Sequence, residues 1–168
     1  MIMSNQTTVT AEPGKQELFI IREFDAPREL VFRAHTEADL YEKWVGPDDL
    51  AMTVEKMEAY AGGSYRFLHT RNDHVYSFHG VYHEVLAPER IIGTFEFDGL
   101  PEAGHVIMGT TKFADLGGGR CRLVHQSVFQ SVQDRDGMVQ SGMERGVVDG
   151  YNKLDTLLES MNSNSQAA

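Results

Sequence analysis

The chain has 168 residues, 41% hydrophobic and 10% aromatic, a mix that suits one domain with a sizeable core. Fifteen Lys and Arg against 25 Asp and Glu leave a net charge of -10, which argues against nucleic acid and against anionic membrane surfaces, since both attract cations. Cys121 is the only cysteine, so no internal disulfide can form, and neither a signal-type apolar run nor a stretch of ~20 apolar residues is present. A cytoplasmic location is the expectation.

Residues 1–15 show little periodicity and read as a flexible N-terminal tail. Residues 17–24 read as a strand with Leu18 and Ile20 on one side. Asp25-Ala26-Pro27 then opens a short helix whose Leu30, Val31 and Ala34 face inward. A second short helix is predicted over about 37–44, carrying Leu40, Tyr41 and Trp44 and ended by Gly46-Pro47. After that the period becomes two. Residues 50–60 form a predicted strand, and Gly62-Gly63 marks a tight turn. Residues 64–70 and 75–86 form a hairpin closed by Arg71-Asn72-Asp73-His74. Pairing Thr70 with Val75 puts Tyr65, Phe67, His69, Tyr76, Phe78, Gly80 and Tyr82 on one face, taken as the inner one. Strands follow at 91–98, 105–115 and 120–129, the last two joined by Gly117-Gly118-Gly119.

The chain closes on a predicted helix over 134–161, starting near 132, where Ser131 and Asp134 resemble a capping box. Met143, Val147, Tyr151, Leu154, Leu158 and Met161 make its apolar stripe. Beside the stripe run Gly142, Gly146 and Gly150, which together cost about 3 kcal/mol of helix propensity. That face needs room for a close strand or for a ligand. Residues 162–168 read as a disordered C-terminal tail, leaving 16–161 as a single domain. The element order predicts an α+β fold, an antiparallel sheet covered on one face by the long helix.

Motifs for chemistry are sparse. His79 and His83 share a strand face, but four residues there span about 13 Å, too far for one ion. No metal motif, nucleophile elbow or phosphate loop occurs, so neither a metal nor any other cofactor is expected. His125 alternates with Leu123 and Phe129 and points inward, either as a buried, hydrogen-bonded histidine or as a ligand contact. Cys121, between Arg120 and Arg122, reads as a buried packing residue. Glu84 and Glu96 lie in strands and suit surface ion pairs. Trp44, Tyr65, Phe67, Phe78, Phe95 and Phe113 would either fill the core or line an apolar cavity.

Several segments together carry a resemblance. They are Phe24-Asp25-Ala26-Pro27-Arg28-Glu29-Leu30-Val31-Phe32-Arg33-Ala34, the stretch from Leu40 to Pro47 ending Trp-Val-Gly-Pro, Gly62-Gly63-Ser64-Tyr65-Arg66, and Gly80-Val81-Tyr82-His83-Glu84-Val85 followed by Pro88-Glu89-Arg90-Ile91. In order and spacing they resemble the SRPBCC (START-like) superfamily, in the branch similar to the C-terminal domain of the activator of heat-shock protein 90 ATPase. The similarity covers about residues 17–160. Val45 and Tyr65 stand where that family often has tryptophan. The resemblance implies a helix-grip fold like that of birch pollen allergen, with a deep hydrophobic cavity, and it supplies no universal catalytic residue.

The reading that follows is a binding domain for a small apolar ligand rather than an enzyme. The ligand-binding candidates are Trp44, Tyr65, Phe67, Phe78, Phe95, Phe113, His125, Gly142, Met143, Gly146, Val147 and Tyr151, with Tyr151 and His125 orienting a polar end. One alternative is a polyketide cyclase or aromatase that uses the same cavity, with His125, Arg66 and Glu84 as its polar candidates. Another is a co-chaperone or stress-response partner. A chaperone and a second copy of the chain stand as candidate protein partners.

Overall fold

The computed structural model describes residues 5–167. In chain order the elements are β1 (Thr8–Thr10), β2 (Glu17–Phe24), α1 (Arg28–Thr36), α2 (Ala38–Tyr41), β3 (Ala51–Met57), β4 (Ser64–Arg71), β5 (His74–Leu86), β6 (Arg90–Phe97), β7 (Ile107–Gly117), β8 (Arg120–Val128), α3 (Val132–Gln140) and α4 (Met143–Ala167). The strands form one antiparallel sheet in the order β1-β2-β8-β7-β6-β5-β4-β3. From β3 to β8 each strand pairs with the next in sequence, as short turns between β-patterned segments dictate. Thr70 does pair with Val75. The turn at Arg71–His74 is tight because Asn72 takes a left-handed φ of 54°.

The period-two pattern decides which side chains meet the helix. Leu18, Ile20 and Phe24 on β2, Phe113 on β7, and Cys121 and Leu123 on β8 all face one way. They pack with Val31, Phe32 and Ala34 of α1, and with Tyr151, Leu154 and Leu158 of α4, in one buried core. The covered half of the sheet is therefore the β2-β8-β7 side.

Arg22 shares that inward face and is only 1% exposed. Its guanidinium forms an ion pair with Asp155 of α4 and donates to Asn152 Oδ1 at 3.2 Å and Thr7 Oγ1 at 2.9 Å. Its Cζ also sits 5.6 Å from the centre of the Phe24 ring. A buried charge thus ties the last helix to β2.

Three expectations change. The helix expected over 134–161 is two helices. Ser141 ends α3, and Gly142 takes φ +84°, a left-handed turn that glycine adopts without a Cβ clash. The start is as read, with Asp134 N donating to Ser131 Oγ at 3.0 Å. The carboxylate of Asp134, however, accepts from His105 Nδ1 at 3.0 Å rather than closing a capping box. Second, Thr8–Thr10, placed in the N-terminal tail, pair with Phe19–Ile21 as β1. β-branched residues suit a strand, and Val9 packs on the core. Third, α4 continues through 162–167, where a tail was expected. Residues 1–4 and 168, which belong to those same tails, lie outside the described residues.

The far edge of the sheet is irregular. The β3–β4 register shifts between Val54 and Lys56, so Glu55 stands in a bulge. The amide of Val54 donates 2.6 Å to the Glu42 carboxylate instead of to a strand.

Candidate functional site

Beyond the core, the inner face of β4, β5 and β6 carries a second aromatic group. Hydrogen-bonded neighbours share a face, so the pairings Phe67↔Phe78 and Phe78↔Phe97 align three rings across three strands. Phe67 and Phe78 stack at 5.1 Å with 18° between planes, and Phe78 and Phe95 at 5.3 Å with 24°. Tyr65 lies nearly parallel to Phe67 at 6.2 Å, and Tyr82 tilts against Tyr65 at 5.2 Å. Tyr65, Phe78, Phe95 and Phe97 remain half-buried although they point inward. Phe67 and Tyr82 are buried yet stand apart from the core cluster. Tyr41, 5.7 Å from Phe67 and 5.6 Å from Trp44, joins the two groups.

The candidate wall residues therefore separate. Tyr65, Phe67, Phe78 and Phe95 are brought together. Trp44, Phe113 and Tyr151 belong to the core instead: Trp44 is 7% exposed, Phe113 2% and Tyr151 7%. The Trp44 indole N–H donates to Ala34 O at 2.8 Å, and its ring stacks on Tyr151 at 5.7 Å. Met143 and Val147 are half-buried at the core margin, on the first turns of α4.

The glycines pack against a loop, not a strand. A β-carbon on Gly150 would lie 3.0 Å from the Trp44 carbonyl oxygen and 3.4 Å from the Gly46 nitrogen. On Gly146 it would touch Pro47 Cδ at 3.4 Å, an ordinary contact. Gly142 is exposed, lies in the break between α3 and α4, and borders no wall. Two opposite outcomes follow for thermal melts. Gly146→Ala should stabilise by about 0.5–1 kcal/mol, through helix propensity. Gly150→Leu should cost about 2 kcal/mol, because the loop backbone cannot step aside. A lowered Tm for Gly146→Ala would refute this account of the face.

Next to the aromatic ladder the floor turns polar. Gly93 on β6 pairs with Gly109 on β7, leaving two adjacent inward positions without side chains. His125 lies over Gly109, with Cε1 3.0 Å from where a β-carbon would be. Its Nδ1 is 2.8 Å from the Thr111 hydroxyl and its Nε2 3.0 Å from the Ser127 hydroxyl. Burial lowers its pKa from 6.5 to about 4, so the ring is neutral near pH 7. His35 of α1 is also lowered to about 4, chiefly by burial, with His125 adding to the shift and the Val31 carbonyl opposing it. Its Nδ1 donates to Val31 O at 2.7 Å, which leaves Nε2 as the bare nitrogen. His69 is lowered to about 4 by burial and then by Lys153, and among the described residues its buried Nδ1 has no hydrogen-bond partner. Burial raises Tyr82 to about 12, and raises Tyr41 and Tyr65 as well.

Sequence reasoning found the alternation that turns His125 inward. It missed Thr111 and Ser127, although counting back from the Gly117–Gly119 turn pairs Thr111 with His125. It also missed His35 and Tyr41, whose helices give no sign of which sheet region they cover. Cys121 is fully buried, and burial raises its thiol to about 12, which suits packing rather than attack. Arg66 and Glu84, the polar candidates of the enzyme reading, point outward. Arg66 pairs with Asp98 at 2.6 Å and Glu84 with Arg90 at 2.7 Å. Two surface hollows lie elsewhere. One, of about 90 Å³, is at Thr10, Glu12, Lys15, Glu17 and Phe19, and the other, of about 300 Å³, is at Asn5–Thr7, Arg22, Val148 and Asn152. Among the described residues no cluster of three His, Cys, Asp or Glu is placed to hold a metal ion. Among them, too, no helix is long and apolar enough to cross a membrane.

A curved antiparallel sheet gripping a C-terminal helix, with two short helices after the first long strand, is a helix-grip domain. The family model described as Activator of Hsp90 ATPase homolog 1-like protein matches residues 25–159. The chain belongs to that family, within the START-like class. A protein from Arthrobacter aurescens, solved by NMR, shares 23% identity over 91% of each chain with a TM-score of 0.82. A crystal structure from Rhodobacter sphaeroides shares 23% identity over 92% of this chain and 99% of its own, also at 0.82. DynU16, a protein of the dynemicin biosynthetic locus, shares 16% identity over 86% of this chain and 48% of its own, at 0.60. These likenesses are likenesses of fold. No curated protein matches the chain.

Proposed function

We propose that the protein binds a small hydrophobic ligand between the first turns of α4 and the aromatic inner face of β4-β5-β6. The observation that carries this reading is the second aromatic group. Tyr65, Phe78 and Phe95 face inward, remain half-buried and lie beside the packed core. Solvent-reachable rings on a concave face lose stability by staying wet, and a ligand that covers them recovers it. Native mass spectrometry of freshly purified protein, followed by solvent extraction, tests the reading. A stoichiometric apolar adduct, lost in a Phe78→Asp variant that still folds, is the expected result. A clean apo mass, together with no uptake of added apolar dyes, would overturn it.

The polar floor gives a second reading, a cyclase or aromatase working at His125. An imidazole titrating at about 4 is a weak general base near pH 7. A base this weak favours holding a ligand over transforming it. A role as activator of Hsp90 rests on the family description, and a pull-down with that chaperone separates it from ligand binding.

A further inference from the structure

The connection between β6 and β7, residues 98–106, is tied down from two sides. From the sheet, the Glu96 carboxylate, only 14% exposed, accepts the Gly104 amide at 2.7 Å. From the start of α3, Gln130 Nε2 donates to Gly104 O at 2.6 Å and to Val106 O at 3.3 Å. Gly104, at φ +95°, thus offers its amide to one neighbour and its carbonyl to the other. At the far end of the connection the chain rests on Phe97, the last ring of the row that runs from Phe67 through Phe78. A β-carbon on Gly99 would fall 2.1 Å from Phe97 Cζ, so the ring keeps its place only beneath a glycine.

His105 adds a third tie, and this one depends on a proton. Its Nδ1 lies 3.0 Å from Asp134 Oδ2 on α3, and its Nε2 3.7 Å from Glu102 Oε2. An imidazolium donates from both nitrogens, a neutral ring from one. Losing the proton leaves two carboxylates to share one N–H, with a lone pair turned on the other. Among the described residues, Asp134 and Glu102 are the charged groups that bear on the ring, and both hold the proton on, Asp134 first. Arg135, the next residue of α3, turns instead to Asp136 and to the carbonyls of Glu12 and Glu17. Asp98 is paired with Arg66 and His79, and the second oxygen of Glu96 lies 3.6 Å from His79 Nε2. The amide dipoles at the start of α3 oppose a cation here, so the tie rests on the Asp134 carboxylate.

We infer that the β6–β7 connection is a proton-operated latch, fastened to α3 while His105 is an imidazolium and loosened, baring Phe97, when that proton is lost. The pKa of His105 is raised above 6.5, so the latch is closed in mild acid and opens as the pH climbs past neutrality. The Gln130 tie has no proton to lose, so the loosening is partial. The latch is independent of ligand binding and stands or falls without it.

Amide hydrogen exchange of the full chain, followed by NMR in steps from about pH 6 to about pH 8.5, reads the latch once each rate is divided by that of an unstructured peptide at the same pH. Protection at Gly104, His105 and Val106 should fall about 3-fold across that range, the scale of a half-exposed ion pair, while the amides of β2 and β8 hold level. The Phe97 ring protons should broaden more under a soluble paramagnet at the alkaline end. His105→Asn keeps a donor near the Nδ1 position without a proton to titrate, and should remove the pH dependence. Asp134→Asn should bring protection to its alkaline level at every pH, and its His105 ring should titrate at lower pH than the parent's. Melts at the alkaline end, where the latch is already loose, should match the parent for both variants. Level protection in the parent overturns the latch. A fall of the same size in His105→Asn assigns the effect to another group and overturns the role of His105. A fall in protection with unchanged broadening of Phe97 overturns the claim that the latch covers that ring.

Discussion

Acidification below pH 6.5 destabilises this protein steeply, and the fold is lost as the pH approaches about 4. His35, His69 and His125 titrate near 4 in the folded state against 6.5 for a free histidine. Between those values the unfolded chain takes up protons that the folded chain refuses. Stability is therefore complete above about 6.5 and drains as pH falls toward 4. Each histidine contributes a slope of up to about 1.4 kcal/mol per pH unit, and the three together up to about 4. A domain of ordinary stability, about 5–15 kcal/mol, would be exhausted within a few units. His105 works the other way. Its pKa is raised, first by the hydrogen bond to Asp134, so its contribution is present in acid and fades as pH rises. It is one exposed group against three interior ones. The lowered carboxyls of Glu23, Glu58 and Glu84, held by Arg122, by Ser64 and by Arg90 respectively, remove further stability only once the pH reaches the carboxylate range. Urea melts at half-unit steps of pH provide the check. A midpoint that holds level from pH 6.5 to 4.5 would refute the neutral interior, and His125→Phe should flatten the slope by one proton.

Asp155→Ala is expected to cost about 3 kcal/mol, because it strands the Arg22 guanidinium in the core. At 168 residues this corresponds to a fall in Tm on the order of 10 °C. Asn152 and Thr7 stay within reach of Arg22 but carry no charge, so they soften the loss without cancelling it. The double variant Arg22→Met with Asp155→Leu should recover most of the stability, since hydrophobic groups of similar size replace a buried pair at little net cost. If the single variant melted like the parent, water would have to reach Arg22, and its 1% exposure would be misleading. If the double variant stayed as weak as the single one, the pair would be needed for packing geometry rather than for charge.

Much of the fold is legible in one sequence because its elements are local. The change of period after Pro47, the Arg71–His74 turn and the Ser131 cap each act over a few residues, and each is found where the pattern puts it. What the sequence hides depends on distant contact. Gly142 looks like a third member of a helical ridge, but only its φ of +84° shows it to be a break. Gly150 reads as room for a close strand or for a ligand, and that room is filled by the Trp44–Gly46 backbone, about a hundred residues earlier. That docking sets where α4 crosses the sheet. It thereby decides that Phe113 is core and Phe78 is not, although both alternate inward in the same way. Arg22 escaped notice for a related reason, since a charge in a strand reads as exposed until its partner on the last helix is known.

The irregular margin at β3 has a consequence for how molecules of this protein meet one another. An open sheet ends in rows of free amides and carbonyls that invite another chain to add a strand. Here one margin is β1, three residues long, and the other carries a bulge at Glu55, an exposed Lys56 and a main-chain amide already engaged by Glu42. A foreign strand would meet charge, broken register and an occupied donor at the same place. The protein is thereby guarded at its margins against growing into fibrils while its apolar rings stay turned inward, and concentrated solutions should stay free of thioflavin-binding aggregates as long as the native sheet persists.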